Sequence, residues 1–157
     1  MTTRRYFVMA LGIALLALPS LAADSPFVGT WKFNAAKSKF SAGAPSLKSA
    51  TVKAEMDGAK LKTSVDGVDG EGKVLKYVVS ALLDGTAAPV TGNPNVDSTE
   101  VKRVDDHTMT VVAKKAGKVV YNDKRVVSKN GKTLTATREG TTAAGQKYTA
   151  TIVLDKQ

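Results

Sequence analysis

A chain of 157 residues with 43% hydrophobic content is long enough for one domain with a sizeable core. It contains no cysteine, which excludes disulfides, thiolate metal sites and a cysteine nucleophile. The net charge of +9 favours anionic partners, but Lys and Arg are interspersed with Asp and Glu along most of the chain, with no cationic stripe or row of aromatic platforms, so a solvated exterior is expected and nucleic acid is not an expected partner.

Met1 to Ala22 reads as a signal peptide. Arg4 and Arg5 form a positive start, and Phe7 to Leu18 is an apolar run too short to span a bilayer as a helix. Pro19 breaks the run, and Ser20-Leu21-Ala22 offers small residues to a peptidase, so cleavage is expected after Ala22, with Ala23 as the next candidate. Residues 23–157 then form a single domain that is exported, periplasmic or extracellular, with no membrane span in the mature protein. Thr3-Arg4-Arg5-Tyr6-Phe7-Val8 is similar to a twin-arginine export motif, but Met9 stands where a lysine often follows, and the general secretory route is preferred.

The rest of the chain alternates apolar and polar residues between turn signals. The first arm is expected at Phe27–Phe33. Asn34 to Ser46 lacks alternation and carries Gly43 and Pro45, so it is expected as a loop across one end of the fold, with one helical turn near Ala35–Lys39. Further arms follow at Leu47–Met56, Lys60–Val68, Lys73–Leu83, Thr86–Val90, Thr99–Val104, Thr108–Lys114, Lys118–Val127, Lys132–Glu139 and Lys147–Leu154. Asp57-Gly58, Asp84-Gly85 and Asn130-Gly131 are strong hairpin signals, because both central residues of such turns need positive φ. The fold class is all-β: a single antiparallel meander of about 8–10 strands that removes its exposed edges by closing into a barrel.

Gly29-Thr30-Trp31-Lys32 at the start of a first strand, then an irregular lid-like segment, then hairpins to the end, resembles the lipocalin and fatty-acid-binding proteins of the calycin group. More narrowly, Phe27 to Phe40 with Val90-Thr91-Gly92-Asn93-Pro94 and Arg125 to Leu134 resembles a group of small exported bacterial lipocalin-like proteins of unassigned function. The resemblance implies a cup with Gly29 and Trp31 as a structural plug at its closed end and an arginine from a late strand across the indole. Arg138, the last arginine in the chain, is the expected candidate. The chain departs from fatty-acid-binding proteins in lacking an Arg-x-Tyr pair in its last arm, Lys147 to Leu154, and from many secreted lipocalins in lacking a disulfide.

Strand parity nominates the interior. Val101-x-Arg103, Val119-x-Tyr121-x-Asp123-x-Arg125-x-Val127 and Leu134-x-Ala136-x-Arg138 place three arginines in register with apolar neighbours. If these faces point inward, each guanidinium must be paired or bind an anion, with Asp123 able to neutralise one of them. If they lie at strand ends, they reach solvent at the rim. Arg103, Arg125 and Arg138, with Tyr77, Tyr121 and Tyr148, are the candidate ligand-binding residues. Leu75, Val79, Ala81, Leu83, Met109, Val111, Ala113, Ala150, Ile152 and Leu154 are the other expected inward residues, and their mix of sizes suits either a hollow or a filled barrel. Trp31 suits a core plug or a cavity wall.

No catalytic constellation is visible. His107 sits between Asp106 and Thr108 in a turn without further ligands at metal-binding spacing, there is no Gly-x-Ser-x-Gly, and Gly67 to Gly72 reads as a hairpin loop because no helix follows it. Neither metal nor other cofactor is expected, and the molecule is expected to be a monomer. The leading reading is an exported, non-enzymatic binding protein for a small amphiphilic or anionic hydrophobic ligand held in the barrel. The alternative is a closed-barrel cell-envelope interaction module acting through its basic surface, and the third reading is a lipocalin-type isomerase or lyase.

Overall fold

The alternation in the sequence becomes the inside and outside of one sheet. The computed structural model describes residues 25–157; the leader expected at residues 1–22 lies outside the described residues. Eleven strands follow: β1 (Gly29–Phe33), β2 (Lys39–Phe40), β3 (Leu47–Asp57), β4 (Lys60–Asp69), β5 (Val74–Leu82), β6 (Asp84–Thr91), β7 (Ser98–Arg103), β8 (Thr108–Lys115), β9 (Lys118–Val127), β10 (Thr133–Thr141) and β11 (Lys147–Lys156). In β8 the alternate residues Met109, Val111 and Ala113 are buried while Thr108, Thr110 and Val112 between them are only half-buried, the pattern of a strand with one face on a core.

Every pairing is antiparallel between neighbours in the order β1-β3-β4-β5-β6-β7-β8-β9-β10-β11, and β1 also pairs with β11. The ring of ten strands is therefore closed and has no free outer edge to manage. No helix occurs among the described residues. The hairpin turns fall alternately at two ends. At one end lie the β3–β4, β7–β8 and β9–β10 turns, with Phe27 and Trp31 beneath them; at the other lie the β4–β5 and β8–β9 turns, the β6–β7 loop and the β10–β11 turn.

The helical turn expected near Ala35–Lys39 is not formed. β1 leaves β3 after Lys32 pairs with Thr51, and the chain bulges through a turn at Ala35–Lys37 before β2 rejoins β11 at Thr151 and Ala150. Unpaired backbone groups of β11 decide this outcome. The Val153 N–H donates to Ser38 Oγ at 2.9 Å, its carbonyl accepts the Asn34 N–H at 2.9 Å, and the Thr149 N–H donates to Ser41 Oγ at 3.0 Å. Two serine side chains thus stand in for backbone carbonyls where the first strand is interrupted.

The closed end is apolar. Trp31 is 1% exposed, and its Nε1 donates to the Phe27 carbonyl at 2.9 Å, satisfying the one polar atom of the indole. The cation over that ring is not Arg138, as the resemblance implied, but Lys156, whose Nζ lies 5.0 Å from the ring centroid. Lys156 is the direct β11 partner of Trp31, whereas Arg138 is held elsewhere by a carboxylate. Gly29 opens the path for this lysine. It has a φ of 134°, and a Cβ there would stand 2.6 Å from Lys156 Cε.

Candidate functional site

The barrel is hollow. Above the Trp31 floor it holds a cavity of about 840 Å³, so of the hollow and filled barrels that the sequence left open, the hollow one is formed. Small inward residues help make this volume: Ala50, Ala81 and Ala136 line it, are buried and occupy little of the space between walls. The deep walls are apolar, with Leu61, Met109, Val111, Leu134, Ile152 and Leu154 among them. Around the mouth stand Ser46, Asp69, Asn93, Asn95, Lys115, Lys118 and Thr142.

Between these zones lies a layer of charge. β9 projects Tyr121, Asp123 and Arg125 from one face, and β10 brings Arg138 into register with Asp123. The Asp123 side chain is 0% exposed. Its Oδ1 accepts Arg138 Nε at 2.7 Å, and its Oδ2 accepts Arg138 Nη2 at 2.9 Å and Arg125 Nη2 at 2.9 Å. Arg125 Nε adds a longer contact to Oδ2 at 3.3 Å. The Arg138 guanidinium also stacks 3.6 Å above the Tyr121 ring.

Burial alone would push the Asp123 carboxyl upward, but the charges of Arg138 and Arg125 and the hydrogen bonds they donate outweigh it and hold the group below the usual carboxylate range. Burial opposes the charge on both guanidiniums, and Asp123 more than restores it, so both stay protonated. One carboxylate therefore faces two cations, leaving an excess positive charge in a cavity with apolar walls. Each guanidinium spends two of its five N–H groups on Asp123, and Arg138 also lies within hydrogen-bonding reach of the Tyr148 hydroxyl. Tyr77, on the β5 wall, has its phenol pushed up to about 12, first by burial and then by Tyr121, with Arg125 and Arg138 pulling the other way; it remains a neutral donor. Burial likewise raises Tyr148.

Of the candidate ligand-binding residues, the structure brings Arg125, Arg138, Tyr77, Tyr121 and Tyr148 onto the cavity wall. It places Arg103 elsewhere. Its side chain is 42% exposed at the closed-end turn, where Nη2 pairs with Asp106 Oδ1 at 2.7 Å and Nε donates to the Asp105 carbonyl at 3.2 Å. Arg103 is the last residue of β7, so its parity is inward but the wall ends beneath it. His107 belongs to the same turn. Asp105 Oδ1 accepts its N–H at 2.8 Å and its carbonyl accepts the Val127 N–H at 2.8 Å. Among the described residues no group of three or more His, Cys, Asp or Glu side chains is placed to hold a metal.

Two features escaped sequence reasoning. Lys115 and Lys118 pair across the β8–β9 turn at the mouth, and Val96 in the β6–β7 loop is buried against the cavity. The lysines were legible as the flanks of Ala116-Gly117; Val96 follows Asn93-Pro94-Asn95, a run that signals only a loop.

A closed antiparallel ring of ten strands around an apolar cavity is a lipocalin- or fatty-acid-binding-protein-like barrel. The chain is similar in structure to the zebrafish ileal bile acid-binding protein, solved in complex with cholic acid, with a TM-score of 0.52 and 13% sequence identity over 85% of this chain and 100% of that one. That likeness establishes the fold. No protein-family model and no curated protein sequence matches the chain.

Proposed function

We propose that this is an exported, non-enzymatic binding protein that holds a small amphiphilic anion inside its barrel. One observation carries the reading: two guanidiniums share a single buried carboxylate inside a cavity of about 840 Å³ whose deep walls are apolar. Apolar walls supply affinity by removing hydrocarbon surface from water. The excess charge and unspent N–H groups of Arg125 and Arg138 supply selectivity for an anionic head, and Tyr77 offers a neutral hydroxyl beside them. The zebrafish neighbour, complexed with cholic acid, supports the use of such a barrel for a lipophilic ligand. The signal-like residues 1–22 support export.

The test is native mass spectrometry of the protein purified from its export compartment, repeated after extraction with organic solvent. A bound mass should disappear on extraction and should weaken in Arg125→Ala and Arg138→Ala, while Arg103→Ala, outside the cavity, should retain it. A ligand-free mass in the unextracted protein, or equal retention in all three variants, would overturn the reading.

A further inference from the structure

Gly140 lies two residues from Arg138 on β10, on the side toward the mouth. Its pairing partners are Tyr121 on β9 and Tyr148 on β11, so the row Tyr121–Gly140–Tyr148 stands directly above the row Asp123–Arg138–Ala150. Gly140 is not among the glycines of positive φ, so its backbone does not demand glycine. Space does. A Cβ at Gly140 would lie 2.4 Å from Tyr148 Cζ, 2.5 Å from its hydroxyl oxygen and 2.7 Å from Cε1.

The far end of the Tyr148 ring therefore rests on the bare backbone of Gly140. It lies along the wall instead of across the lumen, and the residue is 5% exposed. On the other side of Gly140, the Tyr121 ring is fixed under the Arg138 guanidinium. An anionic head travelling from the mouth to Arg138 must pass this row, and the clearance it meets depends on where Tyr148 lies. Tyr148 turns only about its two side-chain torsions, so a side chain at position 140 that displaced the ring would drive it off the wall and over Arg138.

We propose that Gly140 is a specificity-determining residue of the ligand site, whose missing side chain keeps Tyr148 flat against the wall and leaves passage for a ring-bearing anion. The proposal rests on the binding reading above. It predicts that closing this clearance discriminates by width: a ring-bearing head loses its place while a thin carboxylate still passes.

The experiment measures dissociation constants of the purified protein for two probes, 8-anilinonaphthalene-1-sulfonate by fluorescence and dodecanoate by displacement of that probe or by calorimetry. Gly140→Ala should weaken the naphthalene sulfonate about tenfold, a change of about 1.4 kcal/mol, and dodecanoate by much less. Gly140→Ala/Tyr148→Ala, which lacks the clash, should bind the ring-bearing probe as tightly as Tyr148→Ala alone and more tightly than Gly140→Ala. Should Gly140→Ala fail to fold, as judged by circular dichroism, the double variant carries the test alone, and its failure to fold or to bind that probe overturns the proposal. Unchanged affinity in Gly140→Ala, equal weakening of both probes, or no rescue by the double variant also overturns it. Absence of binding of either probe to the unmodified protein would instead remove the binding reading, and this proposal with it.

Discussion

Asp123 is the residue whose loss the interior tolerates least. Among the described residues its carboxylate is the only acceptor that Arg125 and Arg138 share, and it is fully buried. Asp123→Asn keeps the shape and removes the charge, leaving two guanidiniums facing each other without a counter-charge. Breaking a buried ion pair in this way destabilises by about 3–5 kcal/mol, which urea unfolding should show. An added anionic amphiphile should recover part of the loss by binding the folded state, and to a larger extent than in the unmodified protein. A variant as stable as its parent would mean that the cavity water already solvates the guanidiniums. The Asp123–Arg125 pair was legible in the sequence because Tyr121-x-Asp123-x-Arg125 shares a face and strand parity is strict; that Arg138 shares the same carboxylate depends on the β9–β10 register and was not. Val101-x-Arg103 has the same pattern and a different fate, because parity gives the side of a wall and not the height at which it ends. Lys156 over Trp31 was illegible for a related reason: the last strand runs two residues past the expected end at Leu154, and only the pairing with β1 brings Lys156 beside the indole.

At the scale of elements, the turns were the readable part and the interrupted first strand was not. Gly58, Gly85 and Gly131 take positive φ where Asp-Gly and Asn-Gly announced hairpins, but Asp57, Asp84 and Asn130 do not, against the expectation that both central residues would. Among the described residues only Ala116 (φ 48°) joins its glycine, Gly117, in the left-handed region, at the β8–β9 turn. Ala116 is secured by its N–H donating to Asp97 Oδ2 at 2.8 Å, a partner 19 residues away. The β1–β2 break depends on more distant chemistry, since Ser38 accepts from Val153, 115 residues along the chain, while donating to the Asn34 carbonyl at 2.7 Å. No local signal distinguishes that serine from a loop residue. Ser38→Ala should leave the Val153 N–H, on a buried residue, without an acceptor, at a cost of about 1–3 kcal/mol. Hydrogen exchange gives the local reading: the Val153 amide should lose protection while the amides of β8 and β9 exchange as before. Uniform loss across the barrel would instead mean that the interruption governs global opening, and unchanged exchange at Val153 would mean that the serine is not the acceptor.

The whole barrel should be stable over a wide pH range whose limits are set from inside. Asp123 is held below its ordinary value of 3.8, so the stability it contributes is complete above that value and is lost as pH falls through the lower folded value. Exposed carboxylates held low by surface partners, such as Asp155 by Asn34 and Lys37, share that acid limb, so Asp123→Asn should shrink it without abolishing it. The alkaline limb has two buried origins among the described residues, Tyr77 and Tyr148, both raised by burial. Tyr77 is raised from 10.0 to about 12, so the folded state keeps its proton while the unfolded chain gives it up. Its contribution is complete below pH 10.0 and drains away as pH rises toward about 12. The arginines stay charged throughout this span, so neither limb comes from them. Thermal unfolding followed against pH should give a midpoint that is flat across neutrality and falls at both ends. Tyr77→Phe should reduce the alkaline fall to the share that Tyr148 contributes, and the late phase of tyrosinate absorbance should shrink with it. If the variant keeps both the fall and the late phase in full, Tyr77 ionises like a solvated phenol, and the polar layer of the cavity is wetter than its burial implies.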